Sequence, residues 1–284
     1  MSEREAAFLD DAVWIGSEHP FDLHEAYLCF RSPADWRLEE RPRHAELFIT
    51  ADSRYKLWIN GRFVARGPDR CYPERQLVDS IPVTPFLKPG VNVFAVQVYQ
   101  PGYSHFAYVH RGAAGLLVSL VCDDQILLTS GADWRVRRDP SFAEHVPRIS
   151  IYSSGVEDRD LRLVDDWTGG SYDDSDWSAA RLVAAVGDYP WTSLQLRSLP
   201  QLVEREKPLA LIETRRGRFP DYLDHEPHLG LRAGWFAASA ADFPRDASGW
   251  FQPGLRDGES VYWLFDLGRD YACQGWFEIE GALG

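Results

Sequence analysis

The chain has 284 residues, of which 45% are hydrophobic and 26% charged, a composition typical of a globular protein with one large or two ordinary domains. Its formal net charge of −13 suits a neutral substrate and argues against nucleic acid and anionic membranes, because both are bound through clustered lysine and arginine. No run of 18 apolar residues and no signal-peptide pattern is found, so we expect a cytoplasmic protein.

Aromatic residues are numerous, at 11 Trp, 12 Tyr and 15 Phe. Their rings can stack on the C–H face of a pyranose, but core packing is the commoner use of any one tryptophan. The cysteines show no Cys-x-x-Cys spacing and lie mostly in apolar runs, which favours buried free thiols over a zinc site or a disulfide framework. They are Cys29, Cys71, Cys122 and Cys273.

Short strands are predicted at residues 12–15 and 26–31, where apolar runs contain β-branched and aromatic residues. The segment 45–59 then alternates apolar and polar residues at the period of a strand. The apolar residues spaced for one strand face are Leu47, Ile49, Leu57 and Ile59.

A β-hairpin is predicted next, because Asn60-Gly61 supplies the two positive-φ positions of a type I′ turn. The returning strand covers residues 62–66 and ends at Gly67-Pro68-Asp69. A second turn at 87–90 precedes a β-rich run at 91–99. These alternating strands predict the core of a β-sandwich.

Residues 100–112 form a predicted loop that is dense in aromatic residues and histidine, at one end of the sandwich. Binding residues often lie on loops that a rigid scaffold positions, so this loop is the first candidate for a ligand contact. A hydrophobic lid over the core and a contact with a neighbouring domain are the alternatives. His105 and His110 are weak candidates for metal ligands, because no third ligand is in view.

Two further strands are predicted at 115–121 and 126–130, joined by a turn at 123–125, and Asp133-Trp134-Arg135-Val136 begins another. Farther on, Glu157, Asp160 and Arg162 form a charged cluster. An arginine between carboxylates forms bidentate hydrogen bonds, so we favour a structural role for the cluster over sugar binding.

In Asp173-Asp174-Ser175-Asp176-Trp177, short polar side chains are predicted to cap a turn that the tryptophan attaches to the core. The acidic residues there are a less favoured calcium site, because they lack the regular Asp-x-Asp-x-Asp spacing.

The order of these motifs resembles the N-terminal β-sandwich of bacterial α-L-rhamnosidases, glycoside hydrolase family 78. The motifs that carry the resemblance are Tyr55-x-x-Trp58-Ile59-Asn60-Gly61, Gly67-Pro68, Val83-Thr84-x-x-Leu87-x-Pro89-Gly90-x-Asn92-Val93-x-Ala95-Val96, and Glu157-x-x-Asp160-Leu161-Arg162. The resemblance implies an all-β chain: a jelly-roll or galactose-binding-like β-sandwich followed by the start of a second β-sandwich.

We place the domain boundary near residue 200, with a β-sandwich domain at 1–200 and a connector and incomplete second β-sandwich at 201–284. In the second part, 262–269 and 275–281 resemble a strand pair that opens the family's second sandwich. A sheet of one or two strands cannot bury its face, so the chain is expected to be the N-terminal part of a longer polypeptide.

The resemblance implies that the whole enzyme performs inverting hydrolysis of terminal α-L-rhamnosyl bonds in a downstream α/α barrel. No such region is present, so we predict no catalytic residue and no activity for this chain alone. The alternatives are a free-standing, lectin-like carbohydrate-binding module and a structural interaction domain without a ligand.

Five residues are the candidate carbohydrate contacts: Asp52, Asn60, Asp69, Tyr103 and His105. Some binding modules of the family hold calcium through an Asp-Asn pair before the hairpin. At that place this chain has Asp52-Ser53, without the amide ligand, so we expect no metal site and no cofactor, with calcium as the alternative. The expected partners are a rhamnose-containing carbohydrate and the downstream catalytic domain.

Overall fold

The computed structural model describes residue 9 and residues 11–269, apart from residues 22, 149, 202–205, 208 and 219–226. The chain divides into two compact units. The first runs to Pro200, without the segment Pro147–Ile149, and the second comprises that segment and the chain from Gln201. In the described part, no helix is long and apolar enough to cross a membrane.

The first unit is built almost entirely of strands. In chain order these are β1 (Val13–Gly16), β2 (Ala26–Arg31), β3 (Arg37–Leu38), β4 (Ala45–Asp52), β5 (Arg54–Ile59), β6 (Arg62–Gly67), β7 (Gln76–Pro82), β8 (Gly90–Val91), β9 (Phe94–Gln100), β10 (Gly115–Cys122), β11 (Gln125–Thr129), β12 (Arg135–Arg138), β13 (Ser178–Ala179), β14 (Arg181–Ala185) and β15 (Leu194–Leu196). Short 3₁₀ turns lie at Pro73–Arg75, Thr84–Phe86 and Leu161–Leu163.

Two sheets form the sandwich. The seven-stranded sheet has the order β14-β1-β10-β4-β7-β15, with β11 paired to β10, and the six-stranded sheet has the order β13-β12-β2-β9-β5-β6. Pairing is antiparallel except between β7 and β15. Both sheets contribute to one buried core, with Ile49 and Leu116 from the first and Phe30 and Val96 from the second. The predicted all-β sandwich is confirmed.

The predicted hairpin is confirmed at β5 and β6, which pair through a turn in which Asn60 has φ 53° and Gly61 has φ 78°. The prediction that residues 45–59 form one continuous strand was wrong. The chain changes sheet after Asp52, so β4 belongs to the seven-stranded sheet and β5 to the six-stranded one. The four apolar residues of 47–59 still point into the same core, because the two strands face it from opposite sides.

The outer face of the six-stranded sheet is covered by the segment 166–177. Trp167 and Trp177 are buried on Cys29 and Ala95 there. The Arg31 guanidinium of β2 holds the segment through a buried ion pair, with Nε 2.5 Å from Oδ2 of Asp174. The same guanidinium donates to the carbonyl oxygens of residues 167, 169 and 172.

The predicted turn before Trp177 is confirmed. The Asp173 carboxylate accepts the backbone N–H of Ser175, and the short strand β13 follows at the edge of the six-stranded sheet. Arg162 does not bridge both carboxylates of the predicted charged cluster. It forms a bidentate pair with Asp160 at 2.9 and 2.7 Å, while Glu157 interacts with Tyr27.

The second unit contains a three-stranded sheet of order β17-β16-β18, formed by β16 (Ala210–Gly217), β17 (Ser239–Ala240) and β18 (Ser260–Asp266). A helix that sequence patterning did not indicate, α1 (Pro227–Ala237), precedes β17. The strand predicted at 262–269 corresponds to β18, and the one at 275–281 lies outside the described residues. Cys29 and Cys122 are buried free thiols as predicted, and Cys71 is a half-buried one.

Candidate functional site

Four of the five candidate contacts lie at the end of the sandwich where β4 ends, which we call the loop end. It is defined by Asp52, by Arg54 paired with Tyr99, and by residues 101–113, which connect β9 to β10. Antiparallel pairing places the start of β10 here too, since Gly115 lies opposite Asp52.

Asp52 is the most buried of the candidates, with 2% of its surface exposed. One carboxylate oxygen accepts the Tyr108 hydroxyl, and the other accepts the indole Nε1–H of Trp191 at 3.0 Å. Burial raises the pKa of Asp52 to about 6, while these hydrogen bonds favour the ionised form. Asp52 therefore ties the end of β4 to the aromatic loop and to the chain after β14.

A small cavity opens beside Asp52. Its volume is about 40 Å³, and it is lined by Ala51, Asp52, Ser53, Arg54, Pro68, Asp69, Arg70, Cys71, Gln76, Ala107 and Tyr108. That volume holds one or two water molecules and not a pyranose ring. A sugar at the loop end would therefore lie across the mouth of the cavity, where only its hydroxyl groups could reach inward.

Asp69 lines the same cavity and lies near Arg197, with 3.9 Å between Oδ2 and Nη2. Arg197 also contacts the buried Asp79 at 3.3 Å, and Asp79 accepts the hydroxyl of Tyr55 at 2.5 Å. Burial raises the pKa of Asp79 above its ordinary value. The structure thus brings Asp52 and Asp69, two of the predicted candidates, to the lining of one cavity.

Tyr103 does not line this cavity. Its hydroxyl donates to Glu25, whose carboxylate also accepts the hydroxyl of Tyr99 at 2.5 Å and the backbone N–H of Gly155 at 2.9 Å. Glu25 is 3% exposed. This contact anchors the start of the loop to the residues before β2.

His105 forms a tight turn within the loop. Its backbone N–H and C=O pair with those of Tyr108 at 2.9 and 3.0 Å, and its Nδ1 accepts the N–H of Ala107 at 3.2 Å. Among the described residues, no group of three or more His, Cys, Asp or Glu side chains is arranged to hold a metal ion.

Asn60 lies at the opposite end of the sandwich from the other candidates, because β5 runs from Arg54 at the loop end to Ile59. Its amide donates to the Phe86 carbonyl at 3.0 Å and to Asn92 Oδ1 at 2.9 Å, and its Oδ1 accepts the N–H of Val93 at 3.1 Å. The side chain is committed to joining the hairpin turn to the start of β9. This placement separates Asn60 from the other four residues.

Sequence reasoning missed two aromatic residues at the loop end. Phe106 is 73% exposed and Tyr152 is 62% exposed, and their rings meet edge to face at 5.2 Å. The backbone N–H of Phe106 donates to the carbonyl of Ile151, which ties the two loops together. Phe106 belongs to the predicted loop at 100–112, but the sequence of that loop does not show which of its aromatic rings are exposed.

A family model described as Alpha-L-rhamnosidase N-terminal domain matches residues 40–198. Among solved structures, a family 78 rhamnosidase of Bacillus sp. GL1 is 36% identical with a TM-score of 0.69, and the match covers 74% of this chain and 22% of that one. No curated protein sequence matches the chain significantly.

Two more distant structures share the fold. The α-L-rhamnosidase of Aspergillus terreus is 22% identical with a TM-score of 0.54, over 74% of this chain and 27% of that one. The α-L-rhamnosidase of Dictyoglumus thermophilum is 17% identical with a TM-score of 0.55, and the match covers 89% of this chain and 32% of that one. This chain thus spans less than a third of the length of each of these three proteins.

Proposed function

The chain belongs to the α-L-rhamnosidase N-terminal domain family, and we propose that it is the non-catalytic N-terminal region of a longer glycoside hydrolase. The observation that carries the proposal is the family match over residues 40–198, in a chain that covers 22% of a rhamnosidase to which it is 36% identical. Inverting hydrolysis of terminal α-L-rhamnosyl bonds is then the work of a downstream domain, which the sandwich supports.

We extend the proposal to carbohydrate binding at the loop end. Phe106 and Tyr152 are large, exposed and adjacent, and contiguous apolar surface of this kind marks interaction sites on folded domains. A deoxysugar such as L-rhamnose offers a C–H face and a methyl group to such rings. Polar groups at the nearby cavity, among them Asp69, are the proposed partners for its hydroxyl groups.

Isothermal titration of the 284-residue chain with L-rhamnose, with and without Ca²⁺, tests the binding part. A turnover assay on an aryl α-L-rhamnoside tests the non-catalytic part. We expect saturable binding without turnover. Phe106→Ala should weaken binding about 5-fold to 10-fold through the loss of one stacking ring, and should leave the melting temperature unchanged because the ring is exposed.

Tyr189→Ala is the matched control, since Tyr189 is a similarly exposed aromatic residue at 69% that belongs to neither loop. Binding that needs Ca²⁺ would support the calcium alternative at the acidic residues. Turnover by this chain would refute the non-catalytic assignment. Absence of any sugar binding would refute the carbohydrate part and leave the region as a scaffold. A Phe106→Ala variant that binds as tightly as Tyr189→Ala would refute the placement of the sugar on the Phe106 ring.

A further inference from the structure

A cleft lies in the second unit, at the end of β16. Its volume is about 410 Å³, which falls within the range of small-molecule sites. It is lined by Arg216, Gly217, Arg218, Ser239, Ala240, Ala241 and Glu259. A volume of this size accepts a monosaccharide, unlike the cavity of about 40 Å³ beside Asp52.

One wall of the cleft is a fixed ion pair. Nη1 of Arg216 lies 2.7 Å from Oε2 of Glu259, and the guanidinium also donates to the carbonyls of Pro253 and Gly254. Glu259 accepts the backbone N–H of Arg256 at 2.9 Å, and this bond, together with Arg216, lowers the pKa of Glu259. Glu259 therefore stays ionised near neutral pH, and its charge offsets that of Arg216.

Because Arg218 also lines the cleft, the lining has a net positive charge. Its carbonyl accepts the hydroxyl of Tyr262 at 3.3 Å, which holds the backbone, and its side chain is exposed. Among the described residues the Arg218 guanidinium has no hydrogen-bond or ion-pair partner. Its Nη1 lies beside Gly258, where an added Cβ would be 3.4 Å away. The lining thus carries two arginines and one glutamate within a chain whose net charge is −13.

We propose that this cleft binds a carboxylate-bearing ligand of monosaccharide size, a sugar acid, with Arg218 as the residue that receives the carboxylate. The planar guanidinium matches a carboxylate with two parallel, charge-assisted N–H···O bonds. A neutral sugar accepts N–H bonds from it only without the ionic contribution, and a cation is repelled by it. The exposed Ser239, on the neighbouring strand β17 where it pairs with Arg216, is available to the ring hydroxyl groups. This site is separate from the loop end, so neither proposal depends on the other.

The test is a titration of the full 284-residue chain, followed by NMR, with D-glucuronate, with D-glucose as the same ring without the carboxylate, and with acetate as the carboxylate without the ring. We expect D-glucuronate to bind most tightly and to perturb the signals of residues around Arg218. Binding should weaken at high salt, because the interaction is between charges at a partly exposed site.

Arg218→Ala should weaken D-glucuronate binding about 5-fold to 10-fold, the effect of losing a charge-assisted hydrogen bond. Arg218→Lys should recover part of that loss, because it keeps the charge without the planar fork. Arg37→Ala, in the first unit, is the matched control with the same change in charge and should bind as the unmodified chain does. Equal binding of D-glucuronate and D-glucose, equal binding of D-glucuronate and acetate, or an Arg218→Ala variant with unchanged affinity would each overturn the proposal.

Discussion

Replacing Asp52 with asparagine is expected to remove a pH-dependent cost to the stability of the first unit. Asp52 is 2% exposed, and burial raises its pKa from 3.8 to about 6. The folded state therefore holds this proton more tightly than the unfolded state does. Between these two pKa values folding takes up a proton, so the contribution of Asp52 to the free energy of unfolding falls as the pH rises.

The size of the effect follows from the shift. One pKa unit corresponds to about 1.4 kcal/mol, so the full cost of ionising Asp52 in the folded state is ~3 kcal/mol. About 2 kcal/mol of it develops between about pH 4.5 and about pH 7.5. The stability of Asp52→Asn relative to the unmodified chain should rise by that amount over this range.

The asparagine fits the site. Its amide oxygen can accept the indole N–H of Trp191, as the carboxylate does at 3.0 Å. The Tyr108 hydroxyl has a second acceptor in Gln100 Oε1 at 3.1 Å, so it can receive the new amide N–H while donating there. The titration of Asp52 is thus removed while the contacts to Trp191 and Tyr108 are kept.

Urea denaturation followed by tryptophan fluorescence, at several pH values for both proteins, measures the difference. Asp160→Asn is the control, because Arg162 lowers the pKa of Asp160 to about 2 and its titration falls below this pH range. Its stability relative to the unmodified chain should therefore stay constant. A difference for Asp52→Asn that varies by less than about 0.5 kcal/mol with pH would refute the reasoning.

Two further variants test how the segment 166–177 and the loop after β9 are held to the sandwich. Arg31→Met leaves the buried Asp174 carboxylate without its partner. It should lower the free energy of unfolding, measured by urea denaturation, by about 3–5 kcal/mol. A loss below about 1 kcal/mol would contradict the buried ion pair. Gly102→Ala should lower the melting temperature clearly more than Gly112→Ala. Both glycines have positive φ, but a Cβ at Gly102 would collide with the Leu23 carbonyl, whereas at Gly112 it meets nothing within 4 Å. Equal losses in the two variants would show that backbone conformation alone is responsible.

Local signals were sufficient for much of the fold. The positive φ values of Asn60 and Gly61 follow from a turn chemistry that two adjacent residues determine, and β2 and β10 follow from apolar runs of strand length. The helix α1 was missed because its apolar residues are interrupted by glycine and show little one-sided periodicity. The change of sheet after Asp52 was missed because period-two alternation continues through it.

The fold class and the hairpin could be predicted from the amino-acid sequence because strand periodicity and turn chemistry are local. The family could be predicted because its motifs follow one another in a fixed order along the chain. Only the tertiary structure decided the candidate site. Asp52 meets Trp191 across 139 residues of chain, while Phe106 and Tyr108, two residues apart, differ in whether their rings are exposed or hydrogen-bonded inward. Such contacts depend on how the sheets pack and on which loop crosses which strand end, and no spacing within one segment encodes them.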